Sequence, residues 1–127
     1  MEESIRIVIP INPVTKKNHG NIVMIKGRPI MLPSKPYQEY EKKCKEYMPT
    51  LKEPINCPIN LKCTYYMETR RKCDITNLLQ ATCDILVKYK VLEDDNYTIV
   101  ESTDGSRVYY DKENPRCEIE ITKKENE

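Results

Sequence analysis

Apolar and polar positions alternate through residues 4–9, and most of that run is β-branched, which predicts a strand. Residues 21–26 and 30–32 are two further short strand-like runs. Gly27-Arg28-Pro29 between them predicts a hairpin. Ser34 is a good N-cap and Pro36 is tolerated in a first helical turn, so a helix is expected over residues 35–48. Tyr37, Tyr40, Cys44 and Tyr47 then share one stripe. Beyond a proline-rich loop, Ile59, Leu61, Cys63, Tyr65 and Met67 alternate with mostly polar residues, the signature of a half-buried strand. Residues 68–73 form a charged connector. Ile75, Leu78, Leu79, Thr82, Ile85, Leu86 and Tyr89 repeat at helical period. Asp74 precedes them, where a carboxylate can cap free N–H groups and meets the positive end of the helix dipole. A turn over residues 91–96 leads to strands at 97–102, 108–110 and 117–122, with Asp104-Gly105 as a turn and Asn114-Pro115 as a break. No internal repeat or linker interrupts the pattern. It predicts one α+β domain over residues 1–127, with two main helices covering one face of a small mixed sheet.

Composition narrows the class. The hydrophobic fraction is 39%, the charged fraction 32%, and there are only three glycines, which favours a folded domain over disorder. Nine tyrosines supply all the aromatic bulk, so several rings are expected at edges or interfaces, where their hydroxyls find partners. The net charge of +1 does not suggest a surface that binds nucleic acid everywhere, but a local basic patch suffices for phosphate contacts. The charge is uneven: Arg6, Lys16, Lys17, Lys26, Arg28 and Lys35 dominate the first third, while Asp74, Asp84, Glu93, Asp94, Asp95 and Asp104 mark the centre. The six cysteines form no CxxC pair and His19 is the single histidine, which argues against zinc. No signal peptide and no membrane span is visible, and reduced thiols in a cytoplasm are the simplest reading.

From Asp74 onward the chain resembles a known family. The run Asp74-Ile75-Thr76-Asn77-Leu78-Leu79-Gln80-Ala81, with Asp84 and then Leu92-Glu93-Asp94-Asp95-Asn96, is similar to the RusA family of Holliday junction resolvases. Asn12-Pro13-Val14-Thr15-Lys16-Lys17-Asn18 and Pro33-Ser34-Lys35 add to the resemblance, which spans nearly the whole chain. It implies a homodimeric, Mg²⁺-dependent endonuclease that nicks four-way DNA junctions symmetrically, with Asp74 and Asp95 as catalytic carboxylates. Two positions depart from the family pattern: Thr76 stands at a second catalytic Asp, and Gln80 at a catalytic Lys. The expectation is therefore either a divergent enzyme or a junction-binding module that kept the fold and lost the chemistry. A small interaction protein without a nucleic-acid role is a third possibility.

The chemistry of the residues is compatible with the enzyme. Phosphodiester hydrolysis needs an activated water and stabilisation of growing negative charge, and Mg²⁺ supplies both when held by one or two carboxylates. Asp74, Asp94 and Asp95 are the candidate metal ligands. Thr76 offers a hydroxyl and Gln80 an amide that can orient water or phosphate. Lys16, Lys17 and Asn18 have the makings of a phosphate clamp. Arg70, Arg71 and Lys72 directly precede Asp74, and Arg107 is a further candidate DNA contact. Each has a plainer alternative: a helix cap for Asp74, a solvated turn for Asp94 and Asp95, a solvated loop for the lysines, a structural ion pair for Asp84. Reach adds a constraint. The helix from Asp74 to Tyr89 is ~22 Å long, and the six residues from Tyr89 to Asp95 extend at most ~20 Å. That arithmetic expects the partner subunit, not the same chain, to bring an Asp95 to Asp74.

Overall fold

The structure, a computed structural model, describes residues 4–16, 21–32 and 34–124. The elements run β1 (Ser4–Ile9), β2 (Asn21–Ile25), β3 (Arg28–Leu32), α1 (Lys35–Cys44), a 3-10 turn (Lys45–Tyr47), β4 (Ile59–Met67), α2 (Ile75–Lys88), β5 (Val100–Ser102), β6 (Arg107–Tyr110) and β7 (Arg116–Lys123). The expected α+β class with a mixed sheet and two helices is what the chain forms.

β4 is the central strand. β7 pairs antiparallel along one edge of it, and β1 pairs antiparallel with β7. Along its other edge β4 pairs in parallel first with β5 and then with β6. Strand period decides which side is buried. Ile59, Leu61, Cys63 and Tyr65 of β4, Cys117, Ile119 and Ile121 of β7, and Ile7 and Ile9 of β1 all point into the core. The helices close over that face. α1 contributes Tyr37, Tyr40 and Cys44, and α2 contributes Leu78, Ala81, Thr82, Ile85 and Leu86. The buried Tyr65 hydroxyl lies 2.7 Å from Thr82 Oγ1, which ties β4 to α2 and satisfies both groups.

Three local expectations shift. The predicted first helix tightens to a 3-10 turn after Cys44, so Tyr47 leaves the stripe and is exposed. The predicted strand over residues 97–102 shrinks to β5, because Ile99 and Val100 donate to the Asn96 carbonyl and the Asn96 side chain accepts from Thr98 N, winding a turn there. The hairpin turn sits one residue earlier than predicted. Lys26 and Gly27 both have positive φ (50° and 77°), the two-residue geometry that matches strand twist. Among the described residues β2 and β3 pair only with each other and leave Ile22, Met24, Ile25, Ile30 and Leu32 exposed. Among the described residues no helix is long and apolar enough to cross a membrane.

Candidate functional site

α2 buries one face and presents a polar stripe, Asn77, Gln80 and Asp84, beside it. Asp74 begins the helix in extended conformation, and its backbone carbonyl accepts from Asn77 N and Leu78 N. Its carboxylate makes no cap hydrogen bond. Oδ2 instead stands 3.5 Å from Asn77 Nδ2, so the expected capping is absent and the carboxylate stays exposed. Thr76 is exposed in the first turn, and its hydroxyl has no hydrogen-bond partner among the described residues.

Gln80 is the centre of the cluster. Its Nε2 lies 3.0 Å from Asp84 Oδ1, one helical turn on, and 3.4 Å from Asp95 Oδ2. Lys16 closes the group from the loop after β1, its Nζ 2.9 Å from Asp84 Oδ2. A shallow cavity of about 320 Å³ is lined by Lys16, Glu41, Asp84, Val87, Lys88 and Asp95, with Lys88 paired to Glu41. Neighbouring groups register the negative field. Burial, then Asp95 and Asp84, pushes the Cys83 thiol up to about 12. Burial, then Glu41 and Asp84, raises the Tyr37 phenol.

Asp95 reaches Gln80 because the chain reverses sharply after α2. Lys90 takes a left-handed conformation (φ 60°). Lys90 N then donates to the Val87 carbonyl, and Val91 N to the Leu86 carbonyl at 2.9 Å. This is the double hydrogen bond of a Schellman cap, with the fully buried pair Leu86 and Val91 as its apolar contact. Ile55 N donates to the Val91 carbonyl and Glu93 N to the Ile55 carbonyl, which pins the returning segment. Asp94 then turns on itself: its carboxylate accepts from Asp95 N at 2.7 Å and Asn96 Nδ2 at 3.2 Å, and these bonds lower its pKa. Asp94 thus orients Asp95.

This path corrects the reach argument. Asp95 is not stranded beyond the far end of the helix but folds back onto its middle in the same chain. Gln80 is six residues past Asp74, ~9 Å along the axis. Asp95 therefore meets the helix at Gln80, and among the described residues no hydrogen bond joins it to Asp74. Asp84, expected to make a structural ion pair, does so with Lys16, yet it also joins the pocket through Gln80. Its i, i+4 relation to Gln80 was the sequence signal for that grouping.

The basic candidates separate. Arg71 and Lys72 line a groove of about 530 Å³ together with Asn12, Thr15, Ser34 and Cys73, just before Asp74. Asn12 Oδ1 accepts from Glu68 N at 2.9 Å and holds the two walls together. Arg70 lies over the Tyr110 ring, 4.1 Å from its centroid. Arg107 stands on β6 on the opposite face of the sheet from α2, next to Thr64. Lys17, Asn18 and His19 lie outside the described residues. Among the described residues there is no group of three or more His, Cys, Asp or Glu side chains placed to hold a metal ion. The donors that do converge are oxygens, the kind a hard divalent cation takes, and Mg²⁺ commonly needs only one or two carboxylates beside its waters.

No curated protein matches the chain. The family model described as Endodeoxyribonuclease RusA matches residues 10–122, a span that includes every site residue named above. The chain therefore belongs to the RusA family of junction-resolving endodeoxyribonucleases.

Proposed function

We propose that the protein is a Mg²⁺-dependent endonuclease that resolves four-way DNA junctions in recombination and repair, acting as a homodimer in the cytoplasm. The observation that carries this reading is the convergence of Asp84 and Asp95, from separate segments, on one amide of Gln80. Asp74 stands uncapped on the same helix. Mg²⁺, when bound, stabilises charge on phosphoryl oxygens and makes water a better nucleophile. The chain's own parts are to place and orient. Asp95 and Asp84, grouped by Gln80, would hold one cation, with Asp94 orienting Asp95, while Asp74, ~9 Å along the helix from Gln80, would serve the reaction from the helix start. Gln80 fixes the angle between the first two. Lys16 meets a phosphate once Asp84 turns to the metal, with Lys17 and Asn18 next to it in sequence. Arg71 and Lys72 steer the backbone along their groove toward Asp74, with Arg70 beside them. Thr76 offers a hydroxyl to the same approach. The exposed apolar hairpin β2–β3 is a surface that favours a second subunit. Six free cysteines suit a reducing compartment.

A second reading has its own observation. Lys16 and Gln80 already satisfy Asp84 and Asp95 internally. A protein that keeps them so would bind junctions without cutting. Labelled four-way junctions with and without Mg²⁺ decide the matter. Paired symmetric nicks that need the metal support the nuclease. Tight binding without nicks supports the binding module, and the absence of both nicks and binding would rule out a junction function.

A further inference from the structure

The face of the sheet turned away from α2 carries an ordered set of side chains that the cleavage chemistry does not use. On β4, Asn60, Lys62, Thr64 and Tyr66 alternate with the buried residues and point to this side. Strand register arranges their neighbours in rows. Arg116 of β7, Tyr66 of β4 and Tyr109 of β6 lie side by side. The Arg116 guanidinium is 3.6 Å from the Tyr66 ring centroid, and the Tyr66 and Tyr109 rings stack at 5.4 Å and 22°. Arg116 is fixed by Asp111 and Glu118. The stack ends at Tyr109, about half exposed at the edge of the sheet.

The next rows supply cations. Arg107 lies beside Thr64, and Lys62 follows one step along β4. Neither has an ion pair among the described residues. The 102–106 turn beside them is tied to β4. Asn60 Oδ1 accepts from Ser102 Oγ and Asp104 N, and Cys63 N donates to Ser106 Oγ. Gly105, with φ +88°, lets the Lys62 methylenes lie against the turn; a Cβ there would meet Lys62 Cδ at 3.2 Å. Together these residues border a groove of about 410 Å³. Of its two carboxylates, Glu118 is already held by Arg6 and Arg116, and Glu120 lies opposite both Arg6 and Lys62.

We infer that this open face binds a single-stranded segment of DNA, with an unpaired base on Tyr109 and phosphates at Lys62 and Arg107. A base stacked within a duplex offers only its edges. An exposed ring at the end of an aromatic row, flanked by free cations, suits a splayed base and its backbone. The groove's unpaired cations among the described residues, Lys62 and Arg107, complement a phosphate backbone. The inference does not depend on the nuclease reading, since this surface and the aspartates lie on opposite sides of the sheet.

The test is fluorescence anisotropy with labelled oligothymidine in EDTA. The wild type binds. Tyr109→Ala weakens binding on the order of ten-fold, while Tyr109→Phe retains it. Lys62→Ala and Arg107→Ala each lower the log–log salt slope by about 0.7. These side chains are exposed, and circular dichroism confirms that each variant folds. Absence of wild-type binding, or variants that bind like the wild type, overturns the inference. So does sedimentation in which the variants change the oligomeric state and leave oligothymidine affinity alone. Because the assay contains no metal, a protein that binds single strands through this face but never nicks junctions keeps this inference and loses the other.

Discussion

The side-chain amide of Gln80 stands 3.4 Å from the carboxylate of Asp95, fifteen residues further along the same chain. This contact brings Asp95 onto the middle of the helix that Asp74 begins. Asp74→Asn and Asp95→Asn should each abolish Mg²⁺-dependent nicking of four-way junctions and leave junction binding largely intact, because phosphate contacts do not need the metal. Mixing the two inactive proteins under subunit exchange should restore nothing. Recovered nicking of one strand would mean that the site is shared between subunits after all.

Lys16 holds Asp84 but is also a candidate phosphate contact. Its ion pair is part exposed, so Lys16→Ala should change stability by no more than about 1 kcal/mol. The slope of log affinity against log salt for junction DNA should fall by about 0.9. An unchanged slope in a salt titration would leave Lys16 as the counter-ion of Asp84 and nothing more.

A lysine at position 80 would stand between two carboxylates in place of a neutral amide. Gln80→Lys together with Thr76→Asp should therefore nick junctions faster than the wild type, by restoring a cation and a third carboxylate to the helix. Single-turnover rates at saturating Mg²⁺ read the effect. A double variant no faster than the wild type would show that the site is adapted to Thr76 and Gln80.

Lys90 adopts a conformation that costs a non-glycine residue roughly 1–2 kcal/mol. Lys90→Gly should relieve part of that, raising unfolding free energy by about 0.5–1 kcal/mol, net of the extra freedom glycine gives the unfolded chain. Urea denaturation measures it. A destabilised Lys90→Gly would mean that the lysine side chain contributes more than its backbone costs.

Burial pushes the Cys44 thiol up to about 11 and Cys63 up to about 12, and Cys83 reaches about 12 with help from Asp95 and Asp84. In the unfolded chain these thiols ionise near 9, so above that pH the folded state binds more protons and stability falls as pH rises toward 11–12. Below pH 9 the contribution is complete. Chemical denaturation between pH 8 and pH 10.5 should show the decline. At pH 8 a thiol reagent should label exposed Cys73 first and Cys57 next, while buried Cys44, Cys63, Cys83 and Cys117 react only on unfolding.

Local periodicity was enough to read α2 and β4, because each buries a single face and the spacing of Leu78, Ile85 and Leu86, or of Ile59, Leu61, Cys63 and Tyr65, records which face that is. The family motif from Asp74 to Asp95 was likewise visible in the order of residues alone. What the order could not contain is where the chain goes between elements. The helix cap at Lys90 lacks the glycine that usually marks such a reversal, so the return of Asp95 to Gln80 was hidden. Lys16 meets Asp84, and Arg116 meets Tyr66, across long stretches of sequence. The parallel pairing of β5 and β6 with β4 depends on two separate connections. Those placements follow from closing one apolar core over one face of the sheet. That closure is a property of the whole packed chain, and no local window of sequence carries it.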